Sequence, residues 1–174
     1  MGMTEYERLS LCNQYEILSR LALLQGDTND SKYFDKCIKV LQSGYTKEYC
    51  ELSPYLYEEL TERDCDFVWD VLSLYEVIRN SYDKIEDAEI SRDDIRFKGF
   101  DGNNEAALMD YCHFIVVDKD RFGYLFDVPR GALSSALNSH LPMIDKYERM
   151  LHTWQEMGKP VLLTEEQIKE LINQ

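Results

Sequence analysis

The sequence predicts an all-α protein, and three observations carry that prediction. Helix-capping residues precede apolar runs along the chain, and glycines follow them. The apolar residues return every three or four positions rather than in alternation. Glycine is scarce, eight in 174 residues, whereas a doubly wound nucleotide fold needs Gly-rich turns after successive parallel strands. With 44% hydrophobic and 30% charged residues, a chain of this length fits one compact multi-helix domain over 1–174.

The elements follow in order. Thr4 and Glu7 form a capping box, each side chain satisfying a backbone N–H of the other. Behind them Leu11, Tyr15, Leu18 and Ala22 recur at steps of four, three and four, one face of a helix that Gly26 and Asp27 close. A second helix is predicted over 31–43, with Phe34, Ile38 and Leu41 on one face and Gly44 as a left-handed cap. A broken stretch runs through Pro54. Thr61 and Asp64 then open the longest periodic run, carrying Val68, Val71, Leu72, Tyr75, Ile78, Tyr82 and Ile85; this is the predicted central helix.

Residues 86–102 read as a connection, with one short extended piece at 95–100. Residues 101–104 supply turn and cap chemistry to a helix starting near Asn104 and carrying Leu108, Tyr111, Cys112 and Ile115. Residues 114–117 lean toward β, so the other candidate extended segment lies within 114–126. Residues 118–138 carry no legible pattern. Pro142 is expected in the first turn of a helix lined by Ile144, Tyr147, Leu151 and Trp154 and stopped by Gly158 and Pro160. Thr164 and Gln167 form a second capping box, Leu163 staples onto Ile168, and the last helix presents Ile168, Leu171 and Ile172.

Charge narrows the classes of partner. Nineteen Lys and Arg stand against 33 Asp and Glu, a net −14. That disfavours direct nucleic-acid binding, where basic side chains displace counterions from phosphates, and docking on anionic lipid. No stretch approaches the apolar length of a membrane span. The charged start carries no signal peptide, and Tyr6 stands where myristoylation needs Ser or Thr. Five widely spaced cysteines without a CxxC pair read as reduced thiols. The expected location is cytoplasmic. Half of the charge is concentrated in residues 48–70, where eight acidic residues face a single Arg63, −7 among Tyr49, Tyr55, Tyr57, Phe67 and Trp69. Such a stretch is either a surface for a protein partner or a solvated face over an aromatic core.

Motifs for catalysis are lacking. A calcium loop starting at Asp101 fails, since its sixth position is Ala106 and its twelfth Cys112. Glu148, His152 and Glu156 share a helix face at steps of four, and His113 with Asp110 could complete a metal site only if two helices met there. Ser134, Ser135 and Ser139 lie near His140 without a nucleophile-elbow motif. Cys12 or Cys112 could pair with a histidine and Asn13 or Asn138, against the ordinary reading of buried thiols. No phosphate-binding loop or dinucleotide fingerprint occurs, and no cofactor is expected.

Three segments together, MTEYERLSLCNQYEIL at 3–18, FKGFDGNNEA at 97–106 and PMIDKYERMLHTW at 142–154, resemble the YfbU family of bacterial proteins. Gly44-Tyr45, the 59–62 segment and the helix after Thr164 fit the same pattern, so the resemblance spans essentially the whole chain. It implies a mostly helical cytoplasmic domain without an agreed reaction or cofactor, and it brings no catalytic residues. It points to Asn13, Gln14, Tyr15, Phe100, Asp101, Lys146 and Tyr147 as candidates for a shared binding surface. The favoured function is a non-enzymatic module that binds protein, itself included. The alternatives are a metal-dependent or Cys/His hydrolase using His113, Glu148 and His152, and a regulator of nucleic-acid processes working through a partner or through Arg92, Arg96 and Lys98.

Overall fold

The computed structural model describes residues 2–52 and 58–174, in two compact units, Met1–Glu58 and Glu59–Gln174. Pro54, Tyr55 and Tyr57 of the acidic stretch lie outside the described residues.

The first unit is built on an antiparallel pair, α1 (Glu5–Gln25) and α2 (Thr28–Ser43), followed by a 3-10 segment at Thr46–Glu51. The predicted Thr4–Glu7 capping box is present. Asp27 does not merely end α1. Its carboxylate accepts the N–H groups of Asn29 and Asp30 at 3.0 Å, so α2 starts three residues before the predicted Ser31. The helices meet along Arg8–Leu41, Cys12–Ile38, Tyr15–Phe34 and Ser19–Ser31. Cys37, Leu41 and Leu52 are buried, with Leu11, Cys12 and Tyr15 packed against them. Leu18 departs from the predicted inward face and is exposed, because the buried stripe runs through Tyr15, Ser19 and Ala22 instead. Gly44 takes φ 67°, the left-handed cap its position predicts.

The second unit is organised by α3 (Glu62–Tyr82), which buries Val68, Val71, Leu72, Leu74, Tyr75 and Ile78. Thr61 caps it, accepting the Asp64 N–H at 3.2 Å. Around it lie α4 (Ala106–His113), α5 (Leu133–Ala136), α6 (Ile144–Glu156) and α7 (Glu165–Ile172). Tyr75, Phe97, Phe100, Phe126 and Tyr147 form an aromatic core with ring centroids 5.1–5.9 Å apart, mostly edge to face.

Among the described residues no strand forms. The extended piece predicted at 95–100 shrinks to one parallel bridge, Phe100 to Asn138, with Phe100 N–H donating to Leu137 O at 2.9 Å. Gly99 allows that approach. Its φ is +86°, and a Cβ there would sit 1.9 Å from the Leu137 carbonyl oxygen. The β-leaning 114–117 run is helical: α4 passes into a π-turn, Phe114–Asp118, marked by Lys119 N–H donating to Phe114 O at 2.9 Å. The wider turn lets the consecutive Ile115 and Val116 both point inward.

Residues 118–138 consist of 3-10 turns at Gly123–Phe126 and Arg130–Ala132 and the single turn of α5. Asp120, Phe122 and Asp127 there are left-handed. Phe122, Leu125, Phe126, Leu133 and Leu137 fix the segment in the core. Asp127 accepts a two-point hydrogen bond from buried Arg79 at 2.7 and 2.8 Å. Pro142 precedes the Met143 N-cap of α6 and so stands outside the first turn. The Thr164–Gln167 capping box opens α7, and Leu163 and Ile168 are both buried. No helix among the described residues is long and apolar enough to cross a membrane.

Candidate functional site

Of the residues predicted to share a surface, Phe100, Asp101 and Tyr147 are not at the surface at all; they are 0%, 2% and 1% exposed. The Tyr147 hydroxyl donates to Gly99 O at 2.8 Å, inside the aromatic core. The Asp101 carboxylate accepts from the Asn103 N–H and the Asn104 side-chain amide, in that order the main reasons it stays below the usual carboxylate range. Lys146 reaches Ile172 O at 2.6 Å and closes the last turn of α7; burial, then Lys98 and Arg149, lower its affinity for a proton. Tyr15 turns inward and donates to Leu52 O. Asn13 and Gln14 alone of the group are exposed.

Glu105 escaped the sequence reading and is the central polar group of this region. Its buried carboxylate accepts the N–H of Asp101 at 2.9 Å and those of Met143 and Ile144 at 2.6 and 2.9 Å. It thereby joins the turn before α4 to the N-terminus of α6, where Met143 has no side-chain cap of its own. A carboxylate suits a helix N-terminus. The only sequence signal is an acidic residue in the first turn of the helix predicted from near Asn104; in the structure Glu105 stands one position ahead of α4 instead.

The histidines do not converge. His113 Nε2 lies 2.9 Å from Ser134 Oγ, and its Nδ1 is 3.8 Å from Asp118, beyond hydrogen-bonding reach. A serine against imidazole is the pairing that activates a nucleophile, but here the carboxylate beside the other ring nitrogen, Asp118, stands too far away to hydrogen-bond and fix the ring. Glu148 and His152 line a different cleft of about 630 Å³, opposite Glu62, Asp66 and Asp70 of α3, with Arg63 and Phe67 beside them. His152 pairs with Glu156 at 3.4 Å. Among the described residues no three His, Cys, Asp or Glu side chains are placed to hold a metal. Burial pushes the Cys112 thiol up to about 12, far from a thiolate at neutral pH.

In the described part of the acidic stretch most of the acids are exposed, and Tyr49, Phe67 and Trp69 are half-buried. Phe67 and Trp69 pack against the main core and Tyr49 against the small one, so the described aromatics belong to packing. The basic residues Arg92 and Arg96 are engaged by Asp127, Asp83 and Asp93.

Among the described residues, seven of the large exposed apolar side chains lie on α1, Leu18 and Leu23 on its flanks and the other five on its outer face. Tyr6, Leu9, Ile17, Leu21 and Leu24 are large, apolar and exposed. At 3.6 residues per turn they fall on an arc of about 120°, away from the Leu11, Tyr15, Ser19 and Ala22 stripe that meets α2. Asn13 lies within the arc and Gln14 at its edge. Periodicity did announce this helix, but apolar residues on both faces hid which stripe turns inward. At the N-terminal end, Met3, Tyr6, Glu7, Ser10 and Leu11 line a cleft of about 370 Å³.

The model of the family described as the YfbU domain matches residues 1–174. The chain is also 35% identical over 175 residues to the UPF0304 protein MJECS11 of Methanocaldococcus jannaschii, covering 98% of this chain and 99% of that one.

Proposed function

The chain belongs to the YfbU family, and from that premise we propose that it is a non-enzymatic protein-interaction module of the cytoplasm. The observation that carries this reading is the outer face of α1, which exposes five large apolar side chains on a molecule of net charge −14. An apolar patch of that extent on a highly charged chain marks a contact surface. The free cysteines suit a reducing compartment. The family model running unbroken through both units supports treating residues 1–174 as one working domain.

The test places a benzophenone amino acid at Ile17 of the full chain in cells. Irradiation is expected to give protein adducts that are missing when the probe sits at Lys36, exposed on the side of α2 turned away from α1. Equal or absent adducts at both positions would overturn the reading.

A hydrolytic reading keeps one observation, the Ser134–His113 contact. It requires a fluorophosphonate probe to label Ser134 in the wild type and not in His113→Ala.

A further inference from the structure

We infer that the partner of this face is a second copy of the chain, with the two α1 helices packed antiparallel about a two-fold axis. This deepens the interaction reading and rests on it.

The arc is symmetric about position 15. Antiparallel pairing centred there sets Tyr6 against Leu24 of the second copy, Leu9 against its Leu21, and Asn13 against its Ile17, and each pair occurs twice. The ends are complementary as well. Leu24, 84% exposed, is placed beside the Met3–Tyr6–Leu11 cleft of the other copy. Asn13, Ser10 and Arg20 are the polar members of the seam, and the same symmetry puts Ser10 and Arg20 opposite one another, with Arg20 already paired to Glu16 at 2.6 Å. A parallel arrangement would instead set the two Arg20 side chains together. The antiparallel one separates them by roughly 15 Å along the axis at 1.5 Å per residue.

Area and charge agree with a like partner. At about 200 Å² for a large apolar side chain, exposures of 81%, 60%, 60%, 48% and 84% for Tyr6, Leu9, Ile17, Leu21 and Leu24 leave roughly 700 Å² per copy. A standard interface buries about 800 Å² per partner. Within α1 three Glu (5, 7, 16) face two Arg (8, 20), a net −1, whereas residues 48–70 carry −7. The face is a nearly neutral strip on an acidic molecule, so two copies can meet there with little local repulsion. Long-range repulsion between the two −14 chains remains and is screened by salt. Self-association is therefore expected to tighten as salt rises, the opposite of an acidic surface holding a basic partner.

Sedimentation velocity on the full chain reads the result. A species of twice the 20.5 kDa chain mass is expected, more populated at 500 mM than at 50 mM salt. Leu21→Asp and Leu9→Asp are each expected to weaken it at least 100-fold, because each substitution enters the seam twice; circular dichroism verifies that these surface variants keep their helix content. Benzophenone at Leu21, in a mixture of ¹⁴N and ¹⁵N chains, is expected to join residues 6–12 of the other copy. A dimer whose adducts fall on residues 18–24 overturns the antiparallel seam. A monomer whose Ile17 probe still captures another protein in cells overturns the second copy and leaves the interaction reading standing. A monomer with no capture removes both.

Discussion

Replacing Glu105 by alanine removes the acceptor of three backbone N–H groups at once. The Asp101 amide is buried and left without a partner, which costs about 1–3 kcal/mol. The Met143 and Ile144 amides open α6 in part-buried positions, where water recovers some of the loss, and the helix also loses a favourably placed anion worth up to about 1 kcal/mol. The expected total is about 3–5 kcal/mol. At about 2–4 °C per kcal/mol for a chain of this length, the melting point should drop by roughly 10 °C. Glu105→Gln should cost less, about 2 kcal/mol: its amide oxygen keeps the two α6 bonds while its NH2 group confronts the Asp101 donor. Urea unfolding followed by tryptophan fluorescence is the suitable assay, because Trp69 and Trp154 both belong to the Glu59–Gln174 unit. An alanine variant within about 1 kcal/mol of wild type would refute the capping role, as would a glutamine variant no better than alanine.

Other perturbations follow from the same structure. Asp127→Ala strands Arg79, whose side chain is 9% exposed; with Asp83 still 3.2 Å away, the expected loss is about 2–3 kcal/mol. Arg92→Ala, half exposed, should cost under about 1 kcal/mol, and equal losses in urea titrations would contradict the assignment. Because its turn hydrogen bonds hold Asp101 below its ordinary value of 3.8, its contribution is complete above that value and lost as pH falls below it toward the lowered one. The stability gap between wild type and Asp101→Asn should thus narrow from pH 7 to pH 3; a constant gap would count against the turn. Cys112, raised to about 12 by burial, favours the neutral thiol; that contribution is complete below its ordinary value of 9.0 and lost between there and about 12. At pH 8 native protein should alkylate at exposed Cys50 and spare Cys37 and Cys112 until urea is added, as read by peptide mass spectrometry.

Regular helices were legible because their signals are local. The Thr4–Glu7 and Thr164–Gln167 boxes and the α3 stripe each depend on residues within one or two turns of one another. Residues 118–138 resisted because Asp120, Phe122 and Asp127 adopt left-handed backbone without being glycine, and their order is imposed by distant partners such as Arg79, 48 residues away. The same distance effect hid Glu105, whose ligands on α6 lie 38 and 39 residues downstream. Among the candidate site residues, motif specificity marked Phe100, Asp101 and Tyr147 without distinguishing a residue specific for packing from one specific for recognition. Asn13 and Gln14 carried the same kind of signal and lie along the exposed arc.

The two units differ in how far their contacts reach along the chain, and this orders their folding. The α1–α2 hairpin closes on a two-residue turn, so its pairing needs little loop-closure entropy and can form early. In the other unit the Leu163 N–H finds its acceptor on Ser81, 82 residues earlier, at 2.9 Å. That unit cannot complete its core until α7 is available. During synthesis the hairpin can therefore form while the remainder is still being made. Its outer leucines face the cell's other proteins throughout that interval, the period in which a chain most needs its correct neighbour close at hand.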